Sequence, residues 1–187
     1  MRSRALLSVS PASTCYSVDM GVKNRRWPTF VIFGIYVGLL TWLILFKFAT
    51  SLDEIPQMRN LNLVPFSESM VVNGNISFDE IIYNLLVFIP FGMYMRIFLT
   101  RHHWIIQVLP ALILSFTYEM LQYVFAIGGS DITDVITNTA GGFIGVGLCA
   151  ALMKWKPASY GKILDWTGFA LEVIFLALLG LLLIANA

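Results

Sequence analysis

The sequence predicts an all-α membrane protein, a bundle of about five transmembrane helices with the N-terminus inside and the C-terminus outside. Three observations lead there. Of the 187 residues, 58% are hydrophobic and only 12% charged, against roughly 25% charged in an ordinary soluble domain, so the charges are too few to coat a water-facing surface. The apolar residues fall into five runs, each near the ~20 residues that a helix needs to cross ~30 Å of hydrocarbon. The basic residues, finally, gather almost entirely on one side of those runs.

The elements follow in order. Residues 1–19 are Ser-rich and lack a secretory apolar core, since "ALLSV" is too short for one. Residues 1–26 therefore read as a disordered cytoplasmic tail. Met20, opening "MGVKNRRW" directly before a span, is an alternative start. Residues 27–187 read as one transmembrane domain. The first span, 28–48, is apolar until Lys47. The second, 79–99, begins with "SFDE" (77–80), a capping-box pattern in which serine and glutamate satisfy free amides at a helix start. Pro90-Phe91-Gly92 interrupts this helix and predicts a kink that frees carbonyls for neighbours. The third span, 104–126, contains Pro110; the fourth covers 134–153 and the fifth 166–185.

Arg2, Arg4, Lys23, Arg25 and Arg26 precede the first span, Arg96 and Arg101 lie at the second-to-third turn, and Lys154, Lys156 and Lys162 lie between the fourth and fifth. Only Lys47 and Arg59 fall on the other side. By the positive-inside rule the N-terminus is cytoplasmic. A net charge of +1 and no basic patch interleaved with aromatics exclude nucleic acid as a partner. Cys15 and Cys149 imply no disulfide framework, and neither a zinc-spaced Cys/His cluster nor a phosphate-binding glycine loop is present.

With this topology the polar residues sort by depth. Lys47, Arg59, Asn62, Glu80, Asn84, Glu119, Gln122, Asp131, Asp134 and Asn138 all map to the outer leaflet, whereas the inner half has only Glu172 as an intramembrane acid. Ionisable groups at such depth usually pair within the bundle and often mark function. An outward-facing polar cavity is predicted, with Arg59 or Lys47 pairing Glu119 and the aspartates. Segment 49–78, about 30 residues with few helix signals, reads as a functional loop or lid.

Each of these has a structural alternative. Asp131 and Asp134 stand three apart at a helix start, where acids cap free amides and meet the positive end of the helix dipole. Glu119 lies inside a span where no cap needs it; its alternative is a structural hydrogen bond to Asn84 or Gln122. Asn84 and Asn138 suit interhelical bonding, and Gly34/Gly38 and Gly141/Gly145 form GxxxG pairs for close helix packing or dimerisation. His102 and His103 read as a solvated cytoplasmic turn.

Taken together, "RNLNLVPF" (59–66), "DEIIYNLLVFIPFG" (79–92) and "LSFTYEMLQYVFAIGGSDITDVITNTAGGFIG" (114–145) resemble the VanZ family in order and spacing. The resemblance spans residues 57–150 and extends to "WLILFKF" (42–48). It implies a multi-pass protein of the bacterial cell membrane linked to reduced susceptibility to the glycopeptide teicoplanin. The family pattern falls on Arg59, Asn62, Pro65, Asn84, Pro90, Gly92, Glu119, Gln122, Asp131, Asp134, Asn138 and Gly141. The wider family often has an arginine before the first aspartate and paired aspartates later; here Gly129 and Thr133-Asp134 stand there. The resemblance supplies no biochemical activity.

Three functions compete. A non-catalytic site at the outer leaflet would bind membrane lipid, a lipid-linked envelope precursor or a lipoglycopeptide, with Arg59, Asn62, Asn84, Glu119, Gln122, Asp131, Asp134 and Asn138 as ligand-binding candidates and no cofactor. An enzyme acting on a lipid-linked precursor would use Glu119 as general base, Arg59 to neutralise phosphate, and Asp131 with Asp134 to hold a divalent cation such as magnesium. No recognised catalytic motif supports it. A partner-binding module would use its GxxxG faces, with an oligomeric state that the sequence leaves open.

Overall fold

A computed structural model of the chain describes residues 26–46, 58–66, 71–72, 75–76 and 78–185. In chain order its elements are α1 (Arg26–Phe46), β1 (Met58–Asn62), β2 (Val71–Val72), β3 (Asn75–Ile76), α2 (Asp79–Phe98), α3 (Trp104–Phe125), β4 (Ile127–Asp131), α4 (Ile132–Trp155) and α5 (Tyr160–Ala185). All five helices are long and apolar enough to cross a membrane. Residues 1–25 of the predicted tail and Lys47 lie outside the described residues, and Arg26, read as its last residue, opens α1.

Four of the five predicted spans agree with the helices to within about two residues at each end. The fifth starts earlier, at Tyr160 rather than 166. The sequence reading places Lys162 in the loop between the fourth and fifth spans, and Asp165 follows it in the helix. A helix end tolerates both charges where its first turn lies at the edge of the apolar layer. At α2 Phe78 is the cap residue and makes no side-chain cap bond, and Asp79 and Glu80 meet the dipole in the first turn. Ser77 itself lies outside the described residues.

Small residues decide how the helices meet. The closest partnership is between α2 and α4, and glycine makes it possible. A Cβ on Gly141 would overlap the Leu85 carbonyl oxygen, one on Gly145 that of Ile89, and one on Gly92 that of Gly142. The two backbones thus touch, as in small-xxx-small contacts within membranes. Gly142 faces the third helix instead, where an added Cβ would come within 2.6 Å of the Ala111 Cβ. Gly34 and Gly38 behave differently. A Cβ added at either would meet nothing within 4 Å among the described residues, so this GxxxG pair makes no close helix contact there, contrary to its expected role in close packing.

On the opposite face of α2, Phe33 of α1 meets Phe91, Tyr94 and Phe98 at centroid distances of 5.7, 5.3 and 5.2 Å. Phe30 stacks on Phe98 at 4.7 Å. Pro90 sits within α2, which continues to Phe98. In the turn before it the Tyr36 hydroxyl donates to the Val87 carbonyl, so a carbonyl in the turn loosened by proline does serve a neighbour. At the α2–α3 turn His103 caps α3, its Nδ1 accepting from the Ile105 amide at 3.5 Å. It therefore does more than the plain solvated turn predicted for it. Gln107, fully buried, donates to the Leu99 and His102 carbonyls at 3.0 and 2.8 Å and accepts from Arg96 at 3.1 Å.

The sequence reading contained no strands. The structure adds two short sheets to the bundle. β2 pairs antiparallel with β3, and β1 pairs parallel with β4 in the register Met58↔Ile127 through Asn62↔Asp131. A parallel pair needs a long crossover, here supplied by the α2–α3 hairpin. β1 is thereby strapped across the end of the bundle where α3 stops and α4 starts.

Candidate functional site: a hydrogen-bonded latch under the β1 strap

Helix α3 ends at Ala126, whose φ of 55° is left-handed and turns the chain from helix into strand β4. Five residues later Asp131 caps α4, accepting the Thr133 amide on Oδ1 at 2.7 Å. The capping reading of this aspartate is therefore correct, and it is incomplete. Its other oxygen, Oδ2, accepts from Asn62 Nδ2 of β1 at 3.0 Å, and its own amide donates to Glu119 Oε2 of α3 at 2.8 Å. One residue thus ties together β1, α3 and the start of α4.

The neighbouring groups extend the latch. Asn62 is 7% exposed and accepts the Val64 amide on Oδ1 at 3.0 Å, which shapes the turn after β1. The Phe66 amide donates to Thr133 Oγ1 at 3.0 Å and holds that turn against α4. Phe66 has a φ of 62°, a conformation that aromatic residues rarely adopt. Asn84 of α2 donates to Asp134 Oδ1 at 2.7 Å. Deeper, Asn138 donates to Ser115 Oγ at 2.8 Å, and Ser115 reaches the Asp134 carbonyl at 3.4 Å. Gln122 donates to the Ile44 carbonyl of α1 at 3.0 Å.

Glu119 at 5%, Gln122 at 3% and Asn138 at 1% are buried. The amide oxygens of Gln122 and Asn138 are also buried, without a hydrogen-bond partner among the described residues. An acceptor left in that state costs about 1–3 kcal/mol, so these two oxygens are the strongest unmet demand in the site.

Of the eight predicted residues, the structure joins Asn62, Glu119 and Asp131 directly, and Asn84 with Asp134. Asn138 lies one turn along α4 from Asp134, and Gln122 nearly one turn beyond Glu119 toward the C-terminal end of α3. Arg59 does not pair with Glu119 or the aspartates as expected. It lies exposed on β1, donating to the Val124 carbonyl at 3.3 Å with its guanidinium 5.5 Å above the Tyr123 ring. Carbonyls at a helix C-terminus are unsatisfied and carry negative partial charge, which attracts the guanidinium away from acids already bonded to amides. Glu119 likewise takes a backbone amide rather than Asn84 or Gln122. Among the described residues no three His, Cys, Asp or Glu side chains come together to hold a metal.

Sequence reasoning missed Ser115 and Thr133. Ser115 was within reach, because Ser115, Glu119 and Gln122 follow the i, i+4, i+7 spacing of one helix face. Thr133 acts through the strap, whose position over α4 no spacing rule predicts.

The chain matches the VanZ/LLP1 family model over residues 33–154, a span that includes every residue of the latch. The chain belongs to the VanZ/LLP1 family. It is 36% identical over 148 residues to Protein VanZ of Enterococcus faecium, covering 78% of this chain and 88% of that protein. No solved structure matches it. The family match begins within α1 and ends at α4, so the α2–α4 glycine contact and the latch lie inside the family region, and α5 lies beyond it.

Proposed function

We propose that this VanZ/LLP1 protein is a multi-pass protein of the bacterial cell membrane that lowers susceptibility to teicoplanin without catalysis. It would do so by binding a lipid-bearing envelope ligand at the latch, on the outer face. The distribution of Lys and Arg supports this orientation, with the turns of the opposite end in the cytoplasm. The observation that carries the reading is the three-way junction at Asp131, where Asn62 and Glu119 close the strap over a polar layer. Above it Leu63, Val64 and Phe66 are exposed at 66%, 62% and 42%. Apolar side chains on the strap and buried acceptors beneath it suit a ligand with an acyl portion and a polar head.

The same geometry supports binding more than catalysis. Asp131 uses both carboxylate oxygens on protein donors and Glu119 Oε2 accepts a backbone amide, so a general base at Glu119 would act through its other carboxylate oxygen.

The test compares alanine variants of Arg59, Glu119, Asp131 and Asp134 for teicoplanin and vancomycin susceptibility at matched membrane levels, with membrane lipids profiled in parallel. Loss of protection against teicoplanin, with an unchanged lipid profile, is expected. Equal protection against vancomycin, which lacks the acyl chain, would rule out the lipid-dependent reading. A precursor lipid pool that shifts with the wild type and reverts in Glu119→Gln would establish the enzyme instead.

A further inference from the structure

Along α3, from the latch toward the α2–α3 turn, helices α1, α2 and α3 leave a groove of about 420 Å³ that the proposed function does not use. Phe33 and Val37 of α1 form one wall and the turns of α3 from Pro110 to Thr117 the other. Phe91 and Met95 of α2, both buried, make the floor. The lining is apolar except for Thr117, and that hydroxyl is spent on its own helix, donating to the Ile113 carbonyl at 2.7 Å. The groove therefore asks for an apolar occupant.

Its two ends differ. On the latch side α1 and α3 are tied together by the Thr41–Tyr118 hydroxyl pair at 2.8 Å and by the bond from Gln122 to the Ile44 carbonyl at 3.0 Å. At the other end Trp27, near the start of α1, and Trp104, at the start of α3, are 76% and 51% exposed. Exposed indoles at the ends of spans lie at headgroup level. Counted from these tryptophans at about 1.5 Å per residue, Phe33 and Pro110 lie about 9 Å deep, Val37 about 15 Å and Thr117 about 20 Å. Half of a ~30 Å hydrocarbon core is about 15 Å, so the groove covers the depth of the methyl-end half of a chain rooted at the tryptophans.

We propose that the groove holds one acyl chain of an anionic phospholipid from the leaflet at the α2–α3 turn. Two observations select this occupant. The bonds joining α1 to α3 close the groove against chains from the latch side. The open end has a basic rim, with Arg26 opening α1 and Arg101 in the turn before α3, which complements an anionic headgroup. Because lipid tails are themselves apolar, the preference comes from packing against three helices rather than from removal of water. The inference rests on the membrane placement proposed above and is independent of the latch.

The experiment reconstitutes the full chain in lipid nanodiscs with a phospholipid that carries a diazirine near the methyl end of one chain. After irradiation, labelled residues are mapped by peptide mass spectrometry. Labelling at Val37, Ile113 and Thr117 is expected to exceed that at Leu112 and Phe116, exposed on α3 outside the groove, by about tenfold, a preference of about 1.4 kcal/mol. With the diazirine moved next to the ester, labelling should shift to Phe30 and Ile106, on the tryptophan side. A phosphatidylglycerol probe should label about fivefold more than a phosphatidylcholine probe, the effect of one basic residue near the surface. Thr117→Phe, which fills the mouth, should remove the enrichment; Val37→Phe does so from the opposite wall if the first variant does not fold. Labelling spread along α3 in proportion to exposure overturns the proposal, as does enrichment that survives both fillings. So does ester-side labelling at Thr41, or equal labelling by the two headgroups. An unlabelled groove with Ile113→Cys crosslinking two chains would assign it to a second copy instead and equally overturn the lipid.

Discussion

Gly145→Ala and Gly147→Ala form a matched pair, two residues apart on one helix, with opposite expected signs. Either substitution gains helix propensity of about 1 kcal/mol at most, because glycine is the poorer helix former. For Gly147 that is the whole effect, since nothing lies within 4 Å of the added methyl. For Gly145 the methyl would overlap the Ile89 carbonyl oxygen and come within 3.0 Å of the Gly92 Cα. Both obstacles are backbone, so no rotamer change relieves them and α2 must move away from α4. Overpacking of a core costs about 1–3 kcal/mol, and a backbone clash belongs at the upper end. After subtracting the propensity gain, about 1–2 kcal/mol of net destabilisation remains. For a chain of this size that corresponds to a Tm lower by about 2–8 °C, whereas Gly147→Ala should leave the Tm equal or slightly higher. Thermal unfolding of the two proteins in one detergent reads the difference. If Gly145→Ala melted with or above the wild type, the helices would not be in backbone contact and the packing argument would fail.

Three further substitutions test the remaining claims. Glu119→Gln keeps an oxygen to accept the Asp131 amide, so teicoplanin protection should survive it and fall in Glu119→Ala, which orphans that amide at about 1–3 kcal/mol; loss in both would indicate proton chemistry, read by susceptibility at matched expression. Leucine at Gly34 and Gly38 meets no neighbour among the described residues and should leave the Tm unchanged, so if it removed protection a lateral partner on α1 would be required. Phe66→Gly relieves a left-handed backbone worth about 1–3 kcal/mol and should not lower the Tm. Any loss of protection in that variant then belongs to the exposed ring, and full retention would show that the ring is not used.

The helices were legible because their signal is long-range and redundant: some twenty apolar residues outweigh any one polar intruder, and the one large boundary shift is at the fifth span, where Lys162 was read as loop. The composition of the latch was legible for a related reason. Glu119, Asn138 and Gln122 cost free energy in an apolar run, so their presence there already demands partners. What the sequence did not reveal was the partnership itself. Asn62 and Asp131 are 69 residues apart, and the parallel pairing that brings them together depends on where the α2–α3 hairpin returns the chain. Arg59 was misassigned for the same reason. Charge favoured the acids, but geometry had already committed those acids to amides and put a helix C-terminus beside the guanidinium. The glycines show the converse. Gly34/Gly38 and Gly141/Gly145 have the same spacing, and only the three-dimensional neighbour distinguishes an open face from a backbone contact.

The latch and the glycine contact constrain each other. Asn84 lies one residue before Leu85, whose carbonyl abuts Gly141, and it bonds Asp134 on the helix that carries that glycine. Any slide of α2 along α4 would break this bond while driving Gly141 and Gly145 against the carbonyls of α2. The two helices are thus locked in register, and Asp134 is held as a fixed post. β1 is held differently. It is a five-residue strand paired along its length with β4, and the Asn62–Asp131 and Phe66–Thr133 bonds, each worth about 0.5–1.5 kcal/mol net, fasten it and the turn after it to the start of α4. Displacing the strap would therefore break the β1–β4 ladder as well as these two bonds, while the Asp131–Glu119 bond between α3 and the start of α4 would stay intact. A ligand that supplied an acceptor for Asn62 and a donor for Asp131 Oδ2 would replace the side-chain part alone, so the turn after Asn62, held by the Phe66–Thr133 bond, is the part of the strap that yields at least cost.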